Sequence, residues 1–180
     1  WMTIDRYAYG DRLTSDFTAQ VYAGRIEAGY RLAMTPDLGL TPYAALQVQH
    51  FRSPDHSETD LSGGGFGLSY GAMSVTDTRS EIGARLDHTM PVGDSLLVLD
   101  AGAAWAHDHS TDPSATASFQ ALPGSSFTVS GASMPQNAGL LSAGAELQLS
   151  SNLSLSASFD SEFASGYRSY GGSGTLRYSW

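Results

Sequence analysis

Apolar and polar side chains alternate along most of this chain with a period of two. From Phe17 onward, Tyr22, Ile26, Ala28, Tyr30 and Leu32 share one parity, while Arg25, Glu27 and Arg31 share the other. A helical period of 3.6 would scatter those charges around an axis, whereas a period of two collects them on one side, so the pattern predicts a strand. Thr35 to Pro42 is built of turn residues, and after it Ala44, Leu46 and Val48 oppose Tyr43, Gln47 and Gln49. Phe66 to Met90 is too long for one ordinary strand, and Gly71 is where a break is expected. In its second half Thr78, Ile82, Ala84, Leu86 and Met90 oppose Arg79, Glu81, Arg85 and Asp87. A turn at Pro91–Asp94 leads to Leu97, Leu99, Ala101, Ala103 and Trp105 on one face. Leu141, Ala143, Ala145, Leu147 and Leu149 then oppose Ser142, Glu146, Gln148 and Ser150. After Ser151–Asn152, Leu153, Leu155, Ala157, Phe159 and Phe163 oppose Ser154, Ser156, Ser158, Asp160 and Glu162. The last strand is expected at Gly172–Trp180, with Leu176, Tyr178 and Trp180 on its apolar face.

Other stretches lack this regularity. Met2–Tyr9 alternates weakly, and Gly10–Asp16 reads as a polar turn. Arg52–Gly65 is a long polar segment ending in three glycines, residues 107–137 have no firm period, and Ala164–Tyr170 is expected to be a loop of moderate length. About eight strands result. The connections at 35–41, 91–94 and 150–152 are short, while those at 10–16, 52–65, 107–137 and 164–171 are longer. The two kinds alternate, so the short turns and the C-terminus are expected at one end of the sheet. That asymmetry characterises outer-membrane barrels, and the fold class expected is an all-β, antiparallel transmembrane β-barrel.

Composition narrows the picture. No apolar run approaches the ~20 residues of a membrane helix, although alternating membrane strands average out to a neutral hydropathy, here −0.17. There is no cysteine, which excludes disulfides and thiolate metal sites. The net charge of −9 argues against a nucleic-acid partner. All nine basic residues are arginine. Trp1 follows no basic-then-apolar export segment, so the sequence reads as the C-terminal portion of something longer.

The polar parity carries Arg25, Glu27, Arg31, Arg79, Glu81, Arg85, Asp87, Glu146, Asp160, Glu162 and Arg177. On a soluble sheet these would be solvated surface charges of little individual value. In a barrel they would line a wet interior, arginines and carboxylates interleaved. The opposite face is thin, made of alanine, leucine, glycine and scattered aromatics, which suits lipid contact better than an interlocking core. Tyr30, Trp105, Tyr178 and Trp180 read as membrane-interface anchors. His107, Asp108, His109 and Asp112, with Asp55 and His56, are the candidates for hydrolytic chemistry or a metal site, against the plainer reading of solvated loop tips. No glycine run has phosphate-cradling spacing. No catalytic residue, metal site or cofactor is expected.

Several segments resemble the C-terminal β-domain of bacterial autotransporters, the type V secretion translocators of Gram-negative cells. They are Thr41-Pro42-Tyr43-Ala44-Ala45-Leu46-Gln47, Asp77-Thr78-Arg79-Ser80-Glu81-Ile82-Gly83-Ala84-Arg85 and Ala104-Trp105-Ala106-His107. Phe119-Gln120-Ala121-Leu122-Pro123-Gly124 with Phe127, and Tyr178-Ser179-Trp180, complete the set. The resemblance implies one barrel domain over residues 1–180, part of a twelve-stranded barrel in the outer membrane that anchors and exports an N-terminal passenger. It implies that Leu176, Tyr178 and Trp180 are read by the barrel-assembly machinery, and that the partners are outer-membrane lipid, that machinery and the passenger. The strands here cover about two-thirds of such a domain, incomplete at its N-terminal side, and the family's lumenal helix has no counterpart. A complete small barrel acting as adhesin or structural anchor, and a surface protease using the loop histidines, are the other functions weighed.

Overall fold

The computed structural model describes residues 1–109, 114–131 and 135–180 and contains, among them, strands and turns without helix. In chain order the strands are β1 (Met2–Ala8), β2 (Asp11–Phe17), β3 (Gln20–Gly29), β4 (Leu32–Ala33), β5 (Leu38–Ser53), β6 (His56–Ser57), β7 (Thr59–Asp60), β8 (Leu68–Tyr70), β9 (Met73–Val92), β10 (Ser95–Asp108), β11 (Ser114–Phe119), β12 (Phe127–Ser130), β13 (Asn137–Gln148), β14 (Leu153–Ala164) and β15 (Tyr167–Tyr178). The residues separate into two compact units. One comprises 1–24, 48–78 and 110–134, the other 25–47, 79–109 and 135–180.

The second unit holds the alternating segments. Its sheet runs β15-β14-β13-β10-β9-β5-β3, with β4 beside β5, and the registered pairs are antiparallel. Cross-strand partners point to the same face, so the register tests the predicted parities directly. Met90, Leu97, Leu147, Leu155 and Leu176 form one continuous row. Leu86, Ala101, Ala143, Phe159 and Gly172 form a second row, and Ile82, Trp105, Gly139 and Phe163 a third. On the other face Arg85, Gly102, Ser142, Asp160 and Gly171 align. Among the described residues no protein layer covers the apolar rows: Ile82, Leu141, Leu155 and Phe159 are 60, 50, 48 and 47% exposed.

Short turns join these strands. Val92 pairs with Ser95 across Gly93-Asp94, where Gly93 sits at φ 61°, the left-handed region a two-residue hairpin requires. Thr35–Asp37 and Leu149–Asn152 close the other two turns of that end, and the C-terminus is tied there by Ser179 N–H to Asn152 O at 2.9 Å and Asn152 Nδ2 to Ser179 O at 2.7 Å.

Three expectations change. The expected turn at 10–16 is instead mostly the strand β2 (Asp11–Phe17), paired with β1 over its whole length across a Tyr9-Gly10 turn with φ of 51° and 95°. Its polar sequence hid it because only Leu13 supplies a large buried apolar side chain. Residues 164–170 are a tight turn at Ser165-Gly166, since β15 already begins at Tyr167. That strand ends at Tyr178, and Trp180 lies beyond it, fully exposed.

The first unit holds the sheets β1-β2-β7 and β12-β11-β8-β6. Its large apolar core is little more than Leu13 and Leu68, and a buried carboxylate takes over the organising role. Glu58 accepts hydrogen bonds from Arg6 Nε (2.7 Å) and Nη2 (2.6 Å), Leu68 N–H (2.9 Å) and the Tyr70 hydroxyl (3.1 Å). Gln120, from one of the family-like segments, donates to the backbone oxygens of Glu58 and Leu68 at 2.7 and 3.0 Å. Asp60 gathers the amides of Ser62, Gly63 and Gly65, and Asp11 those of Gly64 and Phe66. The glycine run therefore turns its N–H groups onto its own carboxylates, which is why it offers no phosphate cradle.

Burial pushes the Glu58 carboxyl up, but the Arg6 guanidinium, the Leu68 amide and the Tyr70 hydroxyl outweigh it and hold the group below the usual carboxylate range. Asp60 is held low by the amides of Gly65, Gly63 and Ser62. A depressed folded-state value means that the stabilisation is present above the ordinary carboxylate pKa of about 4 and is lost as pH falls through the folded value. Limited proteolysis of this unit should therefore accelerate below about pH 4, and Glu58→Gln should make it less sensitive to acid and more labile at pH 7. Leu13→Ala should cost about 2–5 kcal/mol and expose the same cleavage sites at neutral pH; unchanged cleavage would mean Leu13 is not the keystone.

Candidate functional site

The polar face of the second unit carries the charged side chains that the alternation singled out. Glu27 accepts from Arg85 Nη1 at 2.5 Å and Nη2 at 2.9 Å, and from Arg25 Nη2 at 2.9 Å. Arg25 also donates to Glu81 at 2.9 Å, and the Tyr43 hydroxyl donates to the other Glu81 oxygen. The Arg85 guanidinium lies 3.9 Å over the Tyr43 ring, completing a closed group of five side chains. Arg31 grips Asp87 through two nitrogens, at 2.5–3.1 Å. Arg79 reaches Glu162 at 3.1 Å, off the angle of a hydrogen bond, and Asp108 at 3.8 Å.

These pairs join strands that are not neighbours. Arg25, Glu27 and Arg31 belong to β3 or its end, and their partners belong to β9, with β5 between. Arg79 and Glu162 are separated by β10 and β13. Strands lie about 4.8 Å apart, so on a flat sheet the bases of these pairs would be roughly 10 and 14 Å apart. Contact across such gaps requires the polar face to be concave.

Within it lies a cavity of about 480 Å³ lined by Tyr43, Glu81, Arg85, Ser142, Asp160 and Glu162, among others. Its space comes from small residues. A Cβ at Gly102 would stand 2.5 Å from Ser142 Oγ, and one at Gly83 2.5 Å from Ala104 Cβ. Glu146 and Arg177 share the face by register, beside Ser156 and Ser154, without an ion pair among the described residues. Asp160 pairs with Ser142 in the cavity wall.

Tyr43, the glycines and Asp100, which pairs with Gly144 on the same polar face, are what the sequence analysis missed. Tyr43 was read only as a parity marker, and Asp100 sat in a strand whose start is apolar on both sides. The available signal was glycine recurring at polar-parity positions 83, 102 and 144 of consecutive strands.

Of the predicted interface aromatics, Tyr30, Trp105 and Tyr178 are exposed, and Trp180 projects past the last strand. Trp105 and Tyr178 each lie near the C-terminal end of their strand, and because β10 and β15 run in opposite directions they stand at opposite ends of the sheet. Of the loop candidates, His107 and His109 stand together but each is held by a different partner. His107 bonds Asn137 Oδ1 at 3.0 Å and His109 bonds Ser80 Oγ at 3.1 Å, their rings 4.5 Å apart. Asp108 turns to Arg79, and His56 is stacked between Phe17 and Tyr70 in the other unit. Asp112 lies outside the described residues, and among the described ones no three potential ligands form a metal group.

Exposure separates the ion pairs in strength. The Glu81 side chain is 8% accessible, whereas Arg31 and Asp87 are 46 and 36% accessible. A double-mutant cycle on Arg25 and Glu81 should return about 1–3 kcal/mol of coupling. The same cycle on Arg31 and Asp87 should return a smaller coupling that vanishes in high salt. Equal couplings would contradict the burial difference.

A comparison with individually curated proteins returned no match. The autotransporter β-domain family profile, a family of outer-membrane translocator domains, matches residues 1–160. With the antiparallel sheet, its charged concave face and its uncovered apolar face, that match covers most of the chain, which therefore belongs to the autotransporter β-domain family.

Proposed function

We infer that the chain anchors and exports an N-terminal passenger at the outer membrane of a Gram-negative bacterium. The apolar rows meet lipid, and Arg25, Glu27, Arg31, Arg79, Glu81, Arg85, Glu146, Asp160, Glu162 and Arg177 face a water-filled passage. Leu176, Tyr178 and Trp180 serve as the signal for the barrel-assembly machinery, Tyr30, Trp105, Tyr178 and Trp180 as interface anchors. The role is transport, without catalysis or a cofactor.

The observation that carries this reading is the division of the two faces. Large apolar side chains stand half exposed on one face while ion-paired arginines and carboxylates are gathered on the other. In water that arrangement would leave a continuous hydrocarbon surface wet; in a bilayer both faces meet the solvent they suit. The dimensions agree. Tyr170 and Tyr178 are eight residues apart on β15, about 27 Å along the strand and ~21 Å of height at a tilt of about 40°, which fits within the ~25 Å of an outer-membrane apolar band. A closed barrel needs no catalytic side chain to pass a polypeptide, only a wet lumen.

Adjacent substitutions test the division. Ala143→Arg, in the central row of the apolar face with Phe159 and Gly172, should destabilise the folded chain in lipid by about 2–4 kcal/mol. Ser142→Arg, beside Asp160, should be tolerated and leave the urea midpoint nearly unmoved. Equal effects of the two in a bilayer refolding titration would sink the assignment of faces.

A further inference from the structure

Six arginines lie in the second unit. Arg25, Arg31, Arg79, Arg85 and Arg177 belong to the polar face, and Arg168 does not. Its cross-strand partner is Phe163, which pairs with Gly139, which pairs with Trp105. Arg168 therefore stands in the last apolar row, on the opposite face from every carboxylate of strands β9, β10, β13 and β14 in that unit. It is exposed, and among the described residues it forms no ion pair.

A lone cation on a lipid-facing surface is expensive at mid-membrane and nearly free at the interface. Arg168 is ten residues from Tyr178, about 34 Å along the strand. At a strand tilt of about 40° that is ~26 Å of height, the edge of the apolar band. The guanidinium thus falls in the headgroup layer, at the end remote from the short turns and the C-terminus.

Directly beside it the apolar face has a groove of about 450 Å³ lined by Ile82, Trp105, Gly139, Leu141 and Phe163. Gly139 makes it: between Trp105 and Phe163 the row has no side chain. We propose that Arg168 and this groove bind one phosphorylated membrane lipid, the phosphate held by the guanidinium and one acyl chain lying between Trp105 and Phe163. Guanidinium and phosphate pair bidentately, the aromatic rings flank the boundary of headgroup and hydrocarbon, and no protein carboxylate competes on that face. The proposal rests on the reading that the apolar face meets a bilayer.

The test refolds the 180-residue chain in neutral detergent and titrates it with dioleoyl phosphatidic acid, dioleoyl phosphatidylcholine or inorganic phosphate, counting bound molecules by native mass spectrometry. Phosphatidic acid should be retained in preference to phosphatidylcholine, and Arg168→Gln should weaken it about five-fold while Arg177→Gln, on the other face, changes nothing. Gly139→Leu keeps the charge but fills the groove, and should lower retention of both lipids. Wild-type retention in Arg168→Gln, or inorganic phosphate displacing phosphatidic acid at equal concentration, would overturn the proposal, the latter in favour of a soluble anion. If Arg168→Gln does not fold, undiminished lipid retention in Gly139→Leu overturns it equally. A chain that never enters micelles defeats the translocator reading; one that enters without preferring the phosphomonoester defeats this inference alone.

Discussion

Cross-strand register is the constraint from which the sheet's two faces follow. Side chains alternate along each strand, so a face is apolar across five strands only if each strand meets its neighbour in step. A slip of one residue between β13 and β14 would bring Asp160 and Glu162 among Leu141, Ala143 and Trp105. The turns prevent it. Gly93-Asp94 fixes β9 against β10 because so short a hairpin needs a positive φ at its first turn residue, which Gly93 supplies, and the Ser150–Leu153 hydrogen bonds do the same for β13 and β14. Register is thus specified twice, locally by turn chemistry and globally by the penalty of placing a carboxylate in hydrocarbon.

Charges are handled differently in the two units. Glu58 is buried, so each lone pair must find a donor, and Arg6, Leu68 and Tyr70 supply them. On the polar face most ion pairs keep access to water, and their individual contributions are small. Their value is geometric. Arg25–Glu81, Arg31–Asp87 and Arg79–Glu162 close over intervening strands, which favours the concave form of the sheet over a flat one. The glycines beneath them act in the same sense by leaving room for long side chains to meet.

The long strands and the faces of Arg79, Glu81, Glu146, Asp160 and Leu155 were legible because periodicity depends on the sequence alone. The pairing of Arg79 with Glu162 was not, since it depends on curvature, a property of several strands together. Strand β2 was hidden for another reason: Asp11 and Ser15 are buried through hydrogen bonds, and a strand held by polar contacts has no apolar period to read. The same holds for Glu58, whose role is set by donors fifty-two residues before it and ten and twelve after it. The turn at Ser165-Gly166 was misjudged because Tyr167, Ser169 and Gly171 look like loop residues until Arg168, Tyr170 and Gly172 are matched to Phe163, Ser161 and Phe159.

The edges of the sheet set the remaining condition. Among the described residues β3 and β15 each have one long neighbour, so each presents a row of N–H and C=O groups without a ladder partner. In water such edges are solvated; in hydrocarbon every unpaired group costs several kcal/mol, and spanning sheets are therefore closed ones. β15 is weakest at Gly171, Gly172 and Gly174, which bring no side chain to protect the backbone. There Phe159, paired with Gly172 and stacked on Tyr170, leaves its ring as the main apolar cover of the row. The function inferred for this chain thus requires both edges to be paired in the membrane. An open edge would have to be hidden from lipid by other means, and the apolar, exposed surface of β3, with Tyr22 and Ile26, offers none.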